Sequence, residues 1–193
     1  MNKEILKKFS EWFNEAEQNN LIKDHTEMSL ATADKQGRPS VRIVLLKNFD
    51  ERGFVFYTNY NGRKSKQISE NPFASLCFYW PALDKQIRIE GRVEKVSPQE
   101  SDKYFSSRAE ESRIGAITSK QSEILETREK FLSELDENRK KFLGKEIPRP
   151  ENWGGWRVIP DYVEFWQAGE FRIHHREVYR KINNVWNLNL LYP

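Results

Sequence analysis

Two of the three histidines in the chain are adjacent, and arginines flank them. His174 and His175 stand between Arg172 and Arg176 in the segment "FWQAGEFRIHHREVY". If residues 171–179 form a β-strand, side chains alternate between its faces, and Arg172, His174 and Arg176 share one face. Two guanidinium groups and an imidazole on one face suit an anionic ligand, because arginine donates bidentate, charge-assisted hydrogen bonds to phosphate. A solvated basic strand remains the alternative for this segment.

The same alternation places His175 on the opposite face, so the two histidines are poorly arranged to chelate one metal ion. The chain has one cysteine, Cys77, which excludes an intramolecular disulfide and any CxxC pair of metal ligands. No HxxxH spacing occurs either. We therefore expect no metal site.

A second basic cluster follows a predicted turn in "NYNGRKSKQISEN", residues 59–71. Arg63, Lys64 and Lys66 fall in the first turn of a short predicted helix, where the helix dipole disfavours cations. A phosphate bound at the helix N-terminus would account for them, because the backbone N–H groups there attract anions. A solvated basic turn is the simpler alternative when this segment is considered in isolation.

Two further segments offer polar groups at the ends of predicted elements. "RIVLLKNFD", residues 42–50, has an apolar middle with Arg42 and Lys47 at its ends, although basic strand ends are common. The stretch 106–122 is polar and contains glycine, and such a loop either lines a site or covers the surface. Its candidate hydrogen-bonding side chains are Arg108, Ser112, Gln121 and Ser122.

The motifs of covalent catalysis by protein groups are absent from the sequence. The chain has three histidines and no GxSxG motif, and its 29 acidic residues show no recognisable catalytic pair. Neither GxGxxG nor P-loop spacing occurs among its nine glycines. The residues favour recognition of an anion, which fits an enzyme whose cofactor carries out the chemistry.

Composition limits the class of protein. The 193 residues suffice for one domain with a substantial core, and the 13% of aromatic residues can fill it. With 32 basic and 29 acidic residues the net charge is +3, which is too balanced to indicate nucleic-acid binding. The N-terminus lacks the apolar core of a signal peptide, and no segment reaches transmembrane length. We therefore expect a soluble cytoplasmic protein that binds neither nucleic acid nor membrane.

Hydrophobic periodicity predicts the elements that must position these residues. Apolar residues at helical spacing predict an amphipathic helix over 2–17, within an N-terminal segment 1–20. Alternating apolar residues predict a hairpin around "KQGRP" and strands at "GFVFYTN", "FASLCFYW" and "KQIRIEGRVEKV". "SPQE", residues 97–100, has the form of a capping box and predicts a helix to about residue 107. A second helix is predicted over 123–143.

The last part of the chain is predicted to return to strands. After a Pro/Gly-rich linker over 145–155, strands are predicted at "WRVIPDYVEFWQ", "FRIHHREVYRK" and "VWNLNLL". Seven or eight strands with few helices predict a closed or nearly closed antiparallel barrel decorated by helices. We expect this barrel to form a single domain spanning 1–193.

Taken in order, these segments resemble the pyridoxine/pyridoxamine 5′-phosphate oxidase family. The resemblance runs from about residue 20 to the C-terminus, and the number of motifs in register makes it specific. The matching motifs are "RIVLLK", "GFVFYTN", "GRKSKQ", "NPFASLCFYW", "QIRIEGRVEKVS", "YFSSR", "SRIGA", "SKQS", "PRPENWGGWRV", "EFWQ" and "RIHHR". The resemblance implies an FMN-binding split β-barrel and a homodimer with FMN at the subunit interface.

The resemblance also implies a role for each candidate residue. The implied FMN-binding residues are Arg42, Ile43, Val44, Leu45, Leu46, Lys47, Tyr57, Thr58, Arg63, Lys64, Gln86, Gln121, Ser122, Trp166 and Arg176, with Arg63 and Lys64 at the FMN phosphate. The implied ligands of the substrate phosphate are Lys47, Tyr104, Arg108 and Ser112. Arg172 and His174 would be the catalytic residues and would lie against the substrate ring. On this interpretation one strand face serves both ligands.

The implied reaction is hydride transfer from C4′ of pyridoxine or pyridoxamine 5′-phosphate to N5 of FMN, which gives pyridoxal 5′-phosphate. Dioxygen would be the acceptor and hydrogen peroxide the second product. We also hypothesise that His174 takes up a proton near neutral pH. The sequence departs from the family at His175, Ile173, Ala109 and Leu190, where aspartate, leucine, proline and arginine respectively are usual. The implied FMN-binding set is intact.

Two other functions stay open on the sequence alone. One is a related flavin oxidase acting on another heteroaromatic ring, as in phenazine biosynthesis, although "YFSSR", "SRIGA" and "RIH" argue against it. The other is an FMN- or vitamer-binding protein without turnover, which the departures from the family make plausible.

Overall fold

The computed structural model describes all 193 residues, which form five α-helices and nine β-strands. The helices are α1 (Lys3–Gln18), α2 (Arg63–Glu70), α3 (Pro98–Ser107), α4 (Glu110–Thr118) and α5 (Arg128–Phe142). The strands are β1 (Glu27–Ala33), β2 (Pro39–Leu45), β3 (Asn48–Asp50), β4 (Gly53–Asn59), β5 (Phe73–Trp80), β6 (Lys85–Lys95), β7 (Trp153–Gln167), β8 (His175–Ile182) and β9 (Val185–Leu190). None of the helices combines the length and the apolar character needed to cross a membrane.

The strands form one antiparallel sheet that curls into a half-barrel. Its order is β2-β1-β5-β6-β7-β4-β3, and β8 and β9 are added beyond β7. Strand β7 pairs with β6 along one edge, while its other edge pairs with β4 in the first half and with β8 in the second. The register of β6 and β7 shifts between Glu90 and Gly91. A β-carbon on Gly91 would lie 2.0 Å from the carbonyl oxygen of Ile159, so glycine permits the close approach of the two strands at this bend.

Helix α1 closes the core on the concave side of the sheet. Asn2 caps it by accepting the N–H of Ile5 at 2.8 Å, as expected for an N-cap residue. Phe9 is fully buried, and its ring makes edge contacts with Phe54 and Phe78 at centroid distances of 4.8 and 5.5 Å. The predicted amphipathic N-terminal helix is therefore confirmed, and its apolar face is part of the main core.

The predicted capping box is confirmed, and it fixes the start of α3. Ser97 Oγ accepts the N–H of Glu100 at 3.1 Å, and Glu100 Oε2 accepts the N–H of Ser97 at 3.2 Å. Residues 106–122, expected as a loop, instead contain α4. No side chain caps α4 at Ala109, but Ile114 is buried in a small cluster with Phe105 and Trp153, so tertiary packing stabilises this helix.

Three further features differ from the sequence-based prediction: the start of α5, the presence of β3 and the start of β7. The helix predicted over 123–143 begins only at Arg128, because Thr127 caps it through the N–H of Lys130 at 3.1 Å. Strand β3 was not predicted, since three residues are too few to show alternation. Strand β7 begins at Trp153, inside the predicted linker 145–155.

The convex face of the sheet carries several polar side chains on β6, β7 and β8. On β6 the core residues Ile87 and Ile89 alternate with Gln86 and Arg88, which point away from the core. Cross-strand neighbours continue this face onto β7 and β8, where Gln86 is opposite Trp166, which is opposite Arg176. The next row contains Cys77, Arg88, Glu164 and Val178. Three of the predicted site residues therefore share one face because of strand register.

Candidate active site

Arg42 is fixed by hydroxyl groups of β1 and β2. Its guanidinium donates to Thr32 Oγ1 at 2.7 Å and to Ser40 Oγ at 2.6 Å. Both hydroxyls in turn donate to Oε1 of the buried Gln67 on α2, each at 2.6 Å. Gln67 therefore joins α2 to the two strands and sets the position of Arg42. The sequence analysis did not identify Gln67, because a glutamine in a short basic helix gives no signal of burial.

Lys64 lies in the first turn of α2 and reaches across to β4. Its Nζ donates to Thr58 Oγ1 at 3.1 Å and to Gln121 Oε1 at 2.9 Å. The neighbouring backbone N–H of Arg63 donates to Ser122 Oγ at 3.2 Å. The stretch after α4 is thus tied to the N-terminus of α2, and the two predicted basic residues of this turn lie beside three predicted polar ones.

The basic residues at this end of α2 have no acidic partner. None of the ion pairs in the structure involves Arg42, Arg63 or Lys64. Burial lowers the pKa of Arg42, and the nearby charge of Arg63 lowers it further. Burial likewise lowers the pKa of Lys64, with a further contribution from Arg42. These three residues, the cation cluster, therefore repel one another in the absence of an anion.

The N-terminus of α2 also offers backbone donors. Its N-cap residue Gly62 has no side chain to cap the helix, and Ser122 Oγ, from the stretch after α4, accepts the first helical N–H, that of Arg63. A β-carbon on Gly62 would lie 2.6 Å from Gln121 Oε1, so the Gln121 side chain would have to shift if glycine were replaced. A helix N-terminus beside three cations without counterions is the arrangement that binds phosphate.

A second group of predicted residues surrounds a cavity of about 280 Å³ between α3, α4 and the start of β7. The rings of Tyr57 and Tyr104 stack at a centroid distance of 4.0 Å, and the guanidinium of Arg108 lies 4.7 Å from the ring centre of Trp153. Arg108 and Ser112 both line the cavity.

The cavity adjoins the cation cluster and carries positive charge of its own. Gln121 lines the cavity and also accepts the hydrogen bond of Lys64. One terminal nitrogen of Arg108, Nη1, is buried without a hydrogen-bond partner, and burial lowers the pKa of this residue. Burial raises the pKa of Tyr57 to about 12, so its phenol is neutral at physiological pH. The cavity therefore presents a guanidinium with unused donors to a small anion.

A third group lies on the convex face of β6, β7 and β8. Gln86, Trp166 and Arg176 form the cross-strand row described above. The imidazole of His174 packs on the indole of Trp166 at a centroid distance of 4.7 Å. His174 Nδ1 accepts the backbone N–H of Gly169 at 3.2 Å.

The continuous strand predicted over 171–179 is wrong. Strand β8 begins at His175, and the preceding turn includes Phe171 and Arg172 in the left-handed region, with φ values of 54° and 66°. Arg172 and His174 therefore lie in a turn and do not share a strand face with Arg176. Such backbone conformations cost free energy for residues other than glycine and are concentrated at functional sites. His175 contacts Glu177 at 2.8 Å, on the side of the strand that faces α1.

Residues 42–47, predicted to line the flavin, differ in their exposure to solvent. The side chain of Ile43 is 59% exposed, Val44 and Leu45 are half-buried, and Leu46 belongs to the core. Lys47 is exposed just after β2, and its backbone N–H donates to the carbonyl of Val55 at 2.9 Å.

Within one chain the predicted residues are divided into two sets. The cation cluster and the Arg108 cavity adjoin each other, as Gln121 shows. No hydrogen bond, ion pair or aromatic contact joins either of them to the Trp166 row or to His174. The side chain of Arg172 has no hydrogen-bonding partner in the structure, and no hydrogen bond joins Lys47 to the residues around Arg108.

Comparison with known sequences assigns the family. The model of the pyridoxamine 5′-phosphate oxidase family matches residues 15–141, and that of the pyridoxine 5′-phosphate oxidase C-terminal dimerisation region matches residues 153–193. The chain belongs to the pyridoxine/pyridoxamine 5′-phosphate oxidase family. The relative from Myxococcus xanthus is 47% identical over 188 residues, which cover 97% of this chain and 91% of the relative. The relative from Trichormus variabilis is 49% identical over 189 residues, which cover 97% and 88%.

Two solved structures place this oxidase-family chain among split-barrel proteins. PhzG from Burkholderia lata, in complex with tetrahydrophenazine-1-carboxylic acid, has a TM-score of 0.89 and 31% identity and covers 98% of this chain and 91% of its own. An FMN-binding protein from Nostoc punctiforme, related to pyridoxamine 5′-phosphate oxidase, has a TM-score of 0.77 and 18% identity, with coverage of 95% and 96%. The predicted mainly antiparallel split barrel with helices is confirmed.

The family's dimerisation region corresponds to β7, β8 and β9 in this chain. It therefore contains four residues of the second set, namely Trp166, Arg172, His174 and Arg176, while Gln86 and the predicted residues of the first set lie in the part that the oxidase family model matches. The sequence analysis missed two residues of the candidate site, Gln67 and Trp153. The motif "ENWGGW" offered a signal for Trp153, since this aromatic residue follows a proline-containing segment that ends a helix and precedes two glycines.

Proposed function

We propose that the protein is an FMN-dependent oxidase that converts pyridoxine 5′-phosphate, pyridoxamine 5′-phosphate or both to pyridoxal 5′-phosphate. The observation that carries the proposal is the presence of two adjoining cationic sites without acidic partners. One is the cation cluster at the N-terminus of α2, and the other is the cavity lined by Arg108. A phosphorylated cofactor and a phosphorylated substrate bound side by side require two such sites.

The cation cluster fits the phosphate of FMN. Arg63 and Lys64 would bind it directly, and N–H groups at the start of α2 would supply further donors, with the phosphate replacing Ser122 Oγ at the N–H of Arg63. Arg42, held by Thr32 and Ser40, would lie beside the same ligand. Burial, and to a lesser degree repulsion by a neighbouring cation, lowers the pKa values of Lys64 and Arg42, and a bound anion would offset both effects. The remaining residues of the proposed flavin site are Ile43, Val44, Leu45, Leu46, Lys47, Tyr57, Thr58, Gln86, Gln121, Ser122, Trp166 and Arg176.

The cavity between α3 and α4 fits the phosphate of the substrate. Arg108 has a buried Nη1 without a partner, and a phosphate oxygen would satisfy it. Ser112 would donate a further hydrogen bond from the same wall, and the Tyr104 phenol would do so from the stack with Tyr57. Lys47 would approach from the end of β2. Bound FMN would supply the two-electron oxidation at substrate C4′, with dioxygen as final acceptor and hydrogen peroxide as product.

We further propose that the complete site forms in a homodimer, with FMN at the interface. The two sets of site residues do not touch within one chain, and the second set lies in the family's dimerisation region. Arg172 and His174 of one protomer would then face the Arg108 cavity of its partner. Their task would be to hold the substrate ring with C4′ next to the flavin, which is catalysis by orientation.

Anaerobic reduction tests this function. The protein is loaded with FMN, oxygen is removed, pyridoxine 5′-phosphate or pyridoxamine 5′-phosphate is added, and the flavin absorbance is followed. Bleaching that air reverses, with release of pyridoxal 5′-phosphate and peroxide, is the expected result. A yellow protein that neither substrate bleaches would refute the proposal.

A second candidate is a flavin oxidase that acts on a phenazine precursor. The similarity to PhzG over 98% of this chain is the observation that favours it. The Arg108 cavity fits either substrate, because a guanidinium with unused donors binds a phosphate monoester or the carboxylate of a phenazine carboxylic acid. The same anaerobic experiment with a dihydro- or tetrahydrophenazine carboxylic acid decides between the two.

A further inference from the structure

Glu164 is a buried carboxylate in the middle of the convex face of the sheet. Its side chain is 1% exposed. Oε1 accepts Nε of Arg176 at 2.8 Å, and Oε2 accepts the hydroxyl of Tyr162 at 2.6 Å and Nη1 of Arg88 at 3.2 Å. One carboxylate therefore links β6, β7 and β8 through two guanidinium groups and a phenol. Burial disfavours its charge, but the hydrogen bonds and the two cations outweigh burial, and the pKa of Glu164 lies below its usual range.

The contacts of Arg176 leave one edge of its guanidinium unused. Nε donates to Glu164, and Nη1 donates to the backbone carbonyl of Tyr192 at 3.0 Å. Nη2 has no partner. Since a guanidinium is planar, two fixed donors determine the direction in which the third points. Arg176 is also the cross-strand neighbour of Trp166, so its orientation is fixed relative to that indole.

We propose that Glu164 is the positioning residue for Arg176, holding the guanidinium so that its free Nη2 edge faces the flavin. This inference rests on the proposed function, in which Arg176 and Trp166 contact FMN. Glu164 itself lies one residue row away from these two and touches neither the cofactor nor the substrate in this assignment. Its effect on FMN therefore passes through Arg176.

Arg88 provides a matched control because it uses the same carboxylate. Arg88 contacts Glu164 through Oε2, whereas Arg176 is held through Oε1. Removing either Arg88 or the charge of Glu164 breaks a partly buried ion pair, and both changes are expected to destabilise the fold. Only the change at Glu164 releases Arg176.

The test compares FMN affinity in Glu164→Gln and Arg88→Met with the unchanged protein, by fluorescence titration of the apoprotein. We expect both variants to melt at a lower temperature, but only Glu164→Gln to bind FMN about tenfold or more weakly. The neutral amide ends the ion pair with Arg176 and has a single acceptor oxygen, for which Arg88 and Tyr162 compete with Arg176. Glu164→Asp keeps the carboxylate charge and is the conservative variant. We expect its loss of FMN affinity to be intermediate between those of the unchanged protein and Glu164→Gln. Equal weakening in Arg88→Met and Glu164→Gln would show a general effect of stability and would overturn the proposal.

A double-mutant cycle tests whether Glu164 acts through Arg176. In the Arg176→Ala background, Glu164→Gln is expected to cause no further loss of FMN affinity. A further loss of similar size would overturn the positioning role. Unchanged FMN affinity in Arg176→Ala would also overturn the positioning role, because it would show that Arg176 does not contact FMN. Arg63→Ala separately tests whether FMN binds at the cation cluster.

Discussion

The backbone N–H of Gly169 donates a hydrogen bond to Nδ1 of His174 over 3.2 Å. A β-carbon on Gly169 would lie 1.9 Å from the carbonyl oxygen of Ile173, so the tight turn that makes this bond requires glycine. Because Nδ1 accepts a hydrogen bond, the neutral imidazole carries its proton on Nε2. The geometry therefore favours His174 as a hydrogen-bond donor through Nε2.

The tautomer of His174 can be measured directly. We expect the ¹⁵N spectrum of the histidine side chains to show His174 protonated on Nε2 in the neutral ring. His174→Gln, whose amide can occupy the position of Nε2, is expected to keep more turnover than His174→Asn, which mimics Nδ1 and loses the donor, by roughly tenfold. An Nδ1-protonated ring, or equal activity of the two variants, would contradict the assignment.

Arg172→Ala is expected to abolish turnover while the protein keeps its FMN. Arg172 lies in the strained turn before β8 and has no partner in the structure, so its guanidinium is available to a substrate. Glu170→Ala, a change in the same turn, is the control and should keep turnover. The measurement is the steady-state rate together with the flavin absorbance of the purified protein. Loss of FMN from Arg172→Ala would mean that this turn serves the cofactor.

Arg63→Ala is expected to weaken FMN binding by about 1.5–3 kcal/mol, because it removes a charge-assisted hydrogen bond to the phosphate. Lys66→Ala, on the same short helix, is the matched control, since Lys66 is exposed and lies one turn from the helix N-terminus. Both are compared by titration of the apoprotein with FMN. Identical affinities for the two variants would remove the cation cluster as the phosphate site.

The lowered pKa of Lys64 leads us to expect that FMN affinity falls at alkaline pH. Burial and the charge of Arg42 lower the pKa of Lys64 below the ordinary value of 10.5, so in the free protein this lysine loses its proton earlier than an exposed one. FMN affinity is therefore expected to be constant below that lowered pKa and to fall as the pH rises through it.

The control for this pH dependence is Lys64→Arg, because arginine stays charged throughout the accessible range. We expect the fall in affinity at alkaline pH to be smaller in this variant than in the unchanged protein. Curves of the same shape for the two proteins would show that another group titrates.

Phe9→Ala tests the packing of α1 on the concave side of the sheet. Phe9 is fully buried and contacts the rings of Phe49, Phe54 and Phe78, so its removal leaves a cavity among aromatic side chains. We expect a loss of about 3–5 kcal/mol in the free energy of unfolding, measured by urea denaturation. Lys7→Ala, exposed on the same helix, is expected to change it by less than about 0.5 kcal/mol. A small effect of Phe9→Ala would mean that α1 is not part of the cooperative unit.

The sequence by itself determined the elements whose signals are local. Helix α1 was predicted because Ile5, Phe9 and Ala16 recur at helical spacing, and they are buried together in the structure. Strand β6 was predicted from strict alternation, and the start of α3 from a capping box that bonds only within four residues. The order of the motifs also sufficed to indicate the family, because comparing motifs requires no knowledge of which residues are in contact.

Tertiary structure decided the features that depend on distant residues. Helix α4 was missed because packing of Ile114 on Phe105 and Trp153, and not a cap, stabilises it. The turn before β8 was mistaken for strand because composition does not report a left-handed backbone at Phe171 and Arg172.

The burial of polar groups and the pairing of charges also depend on residues that are distant in the sequence. The carboxylate of Glu164 is separated from Arg88 by 76 residues, and Gln67 from Thr32 by 35, so no local pattern could join them. The sequence supplied the chemical groups, while the curled sheet decided which of them meet, because strand register and helix docking are properties of the whole chain.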